Sequence, residues 1–250
     1  MSFIKDKLQL DVCIGLFSKT IDASFIEATG YAGMNFVIID MEHGLASSAI
    51  IHDHARAAKI GGVASIVRVS GCDPHAISSA LDSGADGVQI PNINTAEQAQ
   101  AAVHAARFHP LGKRGVCRFV RAAKFGTLNR DVYFESENNK LIVLQVEGVE
   151  GVKNINEILN VDGFDVLFVG PYDLSQSVGM PGDITAPEVN ELINNIAMAA
   201  ARKGKTLGVF ADSVDMAKKY IEAGFKYIAY SVDVAIFADA CSYVIRGINE

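Results

Sequence analysis

The chain has 250 residues, half of them apolar, which is enough to bury a substantial core in one large domain or two small ones. Lys and Arg total 22 against 29 Asp and Glu, which leaves a formal net charge of −7. An acidic chain without a basic run is a poor candidate for binding nucleic acid or an anionic membrane, and we expect neither partner.

Eight short apolar runs recur along the chain at fairly regular spacing. They are rich in Val and Ile and mostly continuous rather than alternating, which is typical of strands buried on both faces of a parallel sheet. The predicted strands cover residues 12–17, 36–40, 64–69, 87–91, 141–146, 166–170, 206–210 and 227–231.

Segments with helical periodicity follow these runs, and most begin at Ser, Thr, Asp or Pro and end at Gly, as capped helices do. They cover residues 24–33, 47–62, 75–85, 95–110, 152–160, 186–204, 213–224 and 234–248. Eight strand–helix units in one chain predict an α/β fold, a (β/α)8 TIM barrel forming a single domain over residues 1–250. A doubly wound open sheet is the alternative, but eight near-equal units favour a closed barrel.

Residues 109–140 interrupt this rhythm between the fourth helix and the fifth strand. The segment contains Lys113, Arg114, Arg118, Arg121 and Lys124 and then an acidic end. A connection of this length is usually functional or disordered, and we expect an ordered loop over one face of the barrel.

The cysteines at positions 13, 72, 117 and 241 form no C-x-x-C pair and fit no zinc signature. We therefore expect reduced thiols in a cytoplasmic protein. The first fifteen residues lack the apolar segment and the cleavage site of a signal peptide, and no apolar stretch reaches the roughly 18 residues of a membrane span.

Polar side chains cluster where predicted strands end. In barrels of this type the catalytic groups come from the carboxyl ends of the strands, so we expect these side chains to converge on one pocket. The residues concerned are Asp40, Glu42, His43, Arg68, Gln145, Glu147 and Asp173.

Glu147 and Asp173 are the sharpest pair, with Gln145 nearby. Such oxygen ligands suit the hard cations Mg²⁺ and Mn²⁺, and two protein ligands leave positions for water and substrate oxygens. The stretch GPYDL at 170–174 adds backbone N–H groups that could hold a carboxylate.

Arg68 has the guanidinium fork that holds a carboxylate or an oxyanion. The imidazole of His43 can exchange a proton near neutral pH and is the best candidate for a general base, oriented by Asp40 or another carboxylate. A metal, an arginine and a base around one pocket favour enolate chemistry on a 2-oxo acid. The predicted strands contain no lysine, which argues against a Schiff-base mechanism.

Each residue also has a structural interpretation. Asp173 could cap a helix, His43 could be a structural histidine, and Arg68 could form a buried ion pair with Asp40. Asp82 precedes the fourth strand at the opposite end of the barrel and cannot easily reach its own pocket, which favours a helix-surface carboxylate.

The chain resembles the HpcH/HpaI aldolase family of metal-dependent class II pyruvate aldolases over essentially its whole length. The matching stretches are GYAGMNFVIIDMEHG (30–44), VRV (67–69), ALDSGADGVQIPNINTAEQA (80–99), residues 107–115, LQVEGVEGVKNINEIL (144–159) and DVLFVGPYDLSQSVGMPG (165–182). The D-x-E-H motif together with Q-x-E and GP-x-DLS is the most specific part of the resemblance.

The resemblance implies a carbon–carbon lyase that cleaves a 4-hydroxy-2-oxo acid to pyruvate and an aldehyde through a pyruvate enolate. It implies a divalent metal, Mg²⁺, Mn²⁺ or Co²⁺, and a homohexamer with the last helix exchanged between subunits. The implied roles are metal ligation by Glu147 and Asp173, base catalysis by His43 with Asp40, enolate binding by Arg68, pyruvate binding by Gln145 and by backbone groups of Pro171, Tyr172 and Asp173, and a contribution of Asp82 to a neighbouring subunit's site.

The chain departs from the family pattern in places that bear on the aldehyde. Tyr172 stands where a small residue is usual between GP and D, and Phe17 where many members have Trp. The variable loop at 116–130 is expected to shape the aldehyde site. One branch of the family condenses oxaloacetate with acetyl-CoA to citrate, and a non-catalytic binder of an oxo acid is a further alternative. The intact Gln145-Val146-Glu147 motif favours the aldolase.

Overall fold

The computed structural model describes residues 3–249 and contains a closed barrel of eight parallel strands in sequential order, which confirms the predicted TIM barrel. Each strand pairs with its neighbours in the chain, and β8 closes the barrel against β1. The strands are β1 Cys13–Ser18, β2 Phe36–Asp40, β3 Ala64–Arg68, β4 Gly87–Ile90, β5 Leu141–Val146, β6 Val166–Val169, β7 Thr206–Ala211 and β8 Tyr227–Val232.

The helices follow the predicted pattern with two additions and one break. Helices α1 and α6 were not predicted, α9 begins within the GPYDL stretch, and the helix expected at 152–160 is two short helices, α7 and α8. The helices are α1 Phe3–Leu10, α2 Ala23–Tyr31, α3 Ser48–Gly61, α4 Pro74–Asp82, α5 Ala96–Ala106, α6 Arg130–Asn138, α7 Val149–Lys153, α8 Ile155–Leu159, α9 Pro171–Ser177, α10 Pro187–Arg202, α11 Val214–Glu222 and α12 Asp233–Asn249.

Alternate residues of each strand face two different cores. One set packs outward against the helices, as Ile39 and Val67 do, and the other fills the barrel, as Phe36 and Ile38 do. Because side chains of a strand alternate with a period of two, the inward set continues to the carboxyl end of each strand. Strand β2 therefore presents Phe36, Ile38 and then Asp40 to the interior.

The floor of the barrel is closed by α1, whose Ile4 and Leu8 join the interior cluster. Above them the rings of Phe36 and Tyr227 stack with centroids 3.9 Å apart. Gly15 lies opposite Phe36 in the β1–β2 ladder, and a Cβ at this position would collide with the carbonyl oxygen and the ring of Phe36. The stacked pair therefore occupies space that only glycine leaves open.

The segment at 109–140 is not a single loop, because it contains a 3₁₀ turn at Arg121–Gly126 and the helix α6. Its Arg114 pairs with Asp82 at the end of α4, and Lys140 pairs with Asp86 just before β4. A connection from a helix to the next strand emerges at the amino ends of the strands, so this segment lies at the floor of the barrel. The expected loop at 116–130 consequently does not line this chain's own pocket, and its influence on an aldehyde site is not seen within one subunit.

Helix α12 lies against β1 and β8 and begins where the barrel closes. Most of its length is exposed, including large apolar side chains at Val234, Phe237, Tyr243, Val244, Ile245 and Ile248. Within residues 3–249, no helix is both long enough and apolar enough to cross a membrane.

We predict that Gly15→Ala destabilises the protein by about 1–3 kcal/mol, since the added methyl group overpacks the stacked ring of Phe36. The shift of the urea unfolding midpoint measures this loss. Gly71→Ala is the matched control, because a Cβ at Gly71 meets nothing within 4 Å. Equal midpoints for the two variants would show that Gly15 is not a packing constraint.

Candidate active site

A pocket opens at the carboxyl ends of the strands, where sequence analysis placed the polar residues. It is lined by Phe17, Lys19, His43, Arg68, Gln145, Phe168, Gly170, Pro171, Tyr172, Asp173, Phe210 and Val232. Asp40, Arg68 and Gln89 lie side by side across β2, β3 and β4 in the strand register. The predicted convergence of polar side chains from β2, β3, β5 and β6 is therefore present.

Asp40 is fully buried and forms a bidentate ion pair with Arg68. Arg68 Nε donates to Oδ1 at 2.8 Å and Nη2 donates to Oδ2 at 2.7 Å. Lys19 Nζ donates to the same Oδ2. Burial raises the pKa of Asp40, but the hydrogen bonds and charges of Arg68 and Lys19 outweigh burial and lower that pKa to about 2.

This geometry corrects the prediction that Asp40 orients the imidazole of His43. From His43, Asp40 accepts the backbone N–H at 3.3 Å and not the imidazole, because both carboxylate oxygens already bind cations. The imidazole is 60% exposed, and its Nε2 lies 3.9 Å from Glu42 Oε2. Glu42 is thus the carboxylate beside His43, and Asp40 instead fixes Arg68, as the structural interpretation had it.

Glu42 lies between His43 and Arg68. Its Oε2 lies 3.1 Å from Arg68 Nη1, while the same oxygen is buried and accepts no hydrogen bond from residues 3–249. Burial raises the pKa of Glu42, and the charges of Arg68 and His43 offset part of that rise. A carboxylate oxygen that is buried without a hydrogen bond is a polar atom still lacking its partner.

Glu147 is held by a chain of amides. Gln89 Nε2 donates to Gln145 Oε1 at 2.5 Å, and Gln145 Nε2 donates to Glu147 Oε2. The backbone N–H of Asn92 donates to Glu147 Oε1 at 2.9 Å, and Asn92 Nδ2 reaches Glu42 Oε1 at 3.3 Å. Asn92 has a φ of 57°, which asparagine tolerates better than most residues, and this turn aims its N–H at the carboxylate.

The charge on Glu147 is only partly compensated by these neighbours. Burial raises its pKa to about 7, and the nearby carboxylates Asp173 and Glu42 add to the rise, against the hydrogen bonds from Gln145 and Asn92. At Gly170 an added Cβ would lie 2.6 Å from Glu147 Oε2, so this glycine keeps the space beside the carboxylate open.

The donor set fits a hard divalent cation. Glu147 and Asp173 offer oxygen ligands, and a cation would relieve the repulsion between these carboxylates. Among residues 3–249 no group of three or more His, Cys, Asp or Glu is arranged to hold a metal ion. A cation bound here would therefore take its remaining ligands from water and substrate.

Tyr172 forms part of the pocket wall. Its hydroxyl donates to Asp212 Oδ2 at 3.0 Å, and its ring meets that of Phe210 edge-on at 5.8 Å. The residue that departs from the family pattern is thus fixed in place, 44% exposed, beside the pocket.

The family model described as HpcH/HpaI aldolase/citrate lyase matches residues 13–240. The chain belongs to this family. It is 33% identical over 224 residues to 2-dehydro-3,6-dideoxy-6-sulfogluconate aldolase of Pseudomonas putida, which covers 89% of this chain and 87% of that enzyme.

Solved structures of the family superpose closely on this barrel. An HpcH/HpaI aldolase/citrate lyase family protein from Burkholderia cenocepacia J2315 has a TM-score of 0.95 and 32% identity, with both chains fully covered. The citrate synthase SbnG has a TM-score of 0.89 and 25% identity, over 98% of this chain and 97% of that one.

Three residues of this family member's site were missed by sequence reasoning. Lys19 lies just beyond β1, so a search for lysine within the strands passed over it, although it has the inward parity of Phe17. Asn92 acts through a backbone N–H and Gln89 through an amide, and neither type carries a sequence signature. Asp82 lies away from the pocket, as expected. It accepts a hydrogen bond from Arg114 Nη2 at 2.5 Å.

We predict that Glu147→Gln raises the thermal midpoint of the metal-free protein at pH 8.5. The pKa of Glu147 is about 7 in the fold and 4.5 as the ordinary value, so the native state loses stability as pH rises from about 4.5 to 7, by up to about 3 kcal/mol. The gain should shrink towards pH 4.5, where the carboxyl is protonated in the native state and about half protonated in the unfolded chain.

Differential scanning fluorimetry in EDTA at both pH values measures this effect, with the exposed Glu150→Gln as the control. Adding Mg²⁺ or Mn²⁺ at pH 8.5 should stabilise the wild type more than Glu147→Gln. A midpoint difference that is the same at both pH values would contradict the raised pKa.

Proposed function

We propose that the protein is a divalent-metal-dependent pyruvate aldolase, which reversibly cleaves a 4-hydroxy-2-oxo acid to pyruvate and an aldehyde. The observation that carries this proposal is that His43, Arg68 and Asp173 line one pocket, with Glu147 buried beside Gly170 of the same pocket. The relative from Pseudomonas putida is named as an aldolase of a 2-dehydro sugar acid, which supports the substrate class.

The residues around the pocket divide the work of cleavage. His43, exposed at the rim, accepts the proton of the 4-hydroxyl group as the C3–C4 bond breaks, and the electron pair of that bond passes to C3 and the 2-oxo group as an enolate. Glu42, within 4 Å of the imidazole, stabilises its protonated form. Proton return to C3 completes pyruvate.

Arg68 donates hydrogen bonds to the oxygen that becomes the enolate oxygen. Asp40 holds two of its N–H groups and Glu42 faces a third, which leaves two N–H donors on a guanidinium that cannot rotate. The amide of Gln145 faces the same pocket. When bound at Glu147 and Asp173, a divalent cation would act as a Lewis acid that polarises the 2-oxo group.

Citrate formation from oxaloacetate and acetyl-CoA is the second candidate, since the chain is 25% identical to the citrate synthase SbnG. Consumption of acetyl-CoA with oxaloacetate distinguishes the two. Decarboxylation of oxaloacetate does not distinguish them, because loss of CO₂ would produce the same pyruvate enolate in either enzyme. A non-catalytic oxo-acid binder would instead lose ligand-dependent stabilisation in EDTA without turning over any oxo acid.

We further propose a cytoplasmic homohexamer in which α12 packs on a neighbouring barrel and Asp82 reaches a neighbouring site. The exposed apolar side chains of α12 support the first contact, and four free cysteines are in keeping with a reducing compartment. A monomeric mass by light scattering would contradict the assembly.

We predict metal-dependent exchange of the C3 protons of pyruvate for deuterium, because enolisation does not require the aldehyde. Proton NMR in D₂O with Mg²⁺ or Mn²⁺ should show loss of the methyl signal, and EDTA should abolish it. Glu147→Ala should lose metal dependence and exchange together. Absence of exchange with any metal on folded protein would sink the proposal.

We predict that His43→Ala lowers kcat of aldol cleavage by about 10²–10⁴-fold while binding of Mn²⁺ and pyruvate persists, since the imidazole acts on the 4-hydroxyl group. Isothermal titration of Mn²⁺ and of pyruvate provides the binding measurement. His75→Ala, at an exposed histidine of α4, is the control. A parallel loss of metal binding would contradict the role of His43.

A further inference from the structure

Lys19 is a cation in the pocket to which the proposed chemistry assigns no task. Cys13, Gly15 and Phe17 alternate on the inward side of β1, and Lys19 continues this series one step beyond the strand. Its side chain is 25% exposed and its ammonium reaches the buried Asp40. The residue therefore projects over the pocket rather than into bulk solvent.

The backbone of Lys19 is held as firmly as its side chain. Asp233, the first residue of α12, is 4% exposed and accepts the N–H of Lys19 at 3.0 Å. The same carboxylate accepts the hydroxyl of Ser18 at 2.8 Å and both the N–H and hydroxyl of Thr20. Such a fully bonded turn presents the ammonium in a preorganised position.

Asp40 binds other partners besides Lys19. Its two oxygens already form the bidentate pair with Arg68, and Oδ1 also accepts the backbone N–H groups of Glu42 and His43. Within residues 3–249, Lys19 Nζ makes one hydrogen bond out of the three that an ammonium can donate. Two N–H donors thus remain for a ligand in the pocket.

The position of Lys19 relates to the two halves of a substrate. In a closed barrel of eight strands, β1 lies across from β5, and Glu147 and Asp173 follow β5 and β6. A 2-oxo acid group held there leaves the aldehyde half to extend towards Phe17, Phe210, Val232 and Lys19. Since most of that wall is apolar, an ammonium beside it interacts strongly with an anion.

We propose that Lys19 determines specificity by binding an anionic group, a carboxylate or its equivalent, at the far end of the acceptor aldehyde. This inference rests on the proposed aldolase function and adds the charge of the acceptor to it. A neutral aldehyde would leave the two N–H donors of Lys19 without a partner and bind more weakly.

The test compares, in condensation with pyruvate, aldehydes of equal carbon number that end either in a carboxylate or in a methyl group. Glyoxylate is paired with acetaldehyde, and 4-oxobutanoate with butanal, and kcat/KM is measured for each. In at least one pair the wild type should prefer the charged aldehyde by tenfold or more. Lys19→Met, which keeps the chain length, should lower that ratio at least tenfold, and Lys19→Arg should restore part of it.

Controls separate this proposal from the function on which it rests. Lys203→Met, at an exposed lysine, should keep the wild-type ratio. If Lys19 acts only structurally through Asp40, Lys19→Met lowers kcat/KM equally for both aldehydes of a pair, and the ratio stays unchanged. That result, or the absence of a preference in the wild type, would overturn the proposal. Pyruvate C3 exchange without these preferences overturns the role of Lys19 alone, whereas absent exchange in the wild type overturns both inferences.

Discussion

The two-residue alternation of strands in a closed barrel is the constraint on which the rest of the structure depends. Each strand must send every second side chain into a shared interior, so its successive inward residues fill successive levels. Strands β2, β3 and β5 supply two apolar levels, such as Ile38 and Ile66, and then a polar one. The same alternation that packs the barrel therefore brings Asp40, Arg68 and Gln145 to the interior at the carboxyl ends of their strands.

Two buried carboxylates at this end of the barrel have opposite properties because their neighbours differ. Asp40 meets two cations, Arg68 and Lys19, which keep it ionised and tie the guanidinium in place. Glu147 accepts hydrogen bonds from the Gln145 amide and the Asn92 backbone and has Asp173 and Glu42 nearby, and burial makes its ionised form costly at neutral pH. Asp40 therefore stays ionised and fixes Arg68, whereas Glu147 can carry a negative charge that a bound cation would stabilise.

Much of this molecule could be predicted from its sequence, and the failures have physical causes. The strands were recognisable because they are buried on both faces and thus continuously apolar. Helix α6 was missed because its mean composition is polar and only Tyr133 and Glu137 are buried. At the site, the residue types were predicted but not all their pairings. Asp40 was assigned to His43 because they are close in sequence, whereas Arg68, adjacent in the ladder, offers two parallel donors. Lys19 and Asn92 were missed because their roles depend on how a turn directs them.

The carboxylate of Asp233 also sets an order of events for the folding chain. It accepts the hydroxyl of Ser18, 215 positions earlier in the chain, where the first strand meets the last. Contacts of such long sequence separation carry a high loop-closure cost, which falls once the intervening strands have brought the two ends together. The turn that bears Lys19 therefore acquires its final shape when the ring is completed, and a chain arrested before that point would have a nearly finished barrel without a finished pocket.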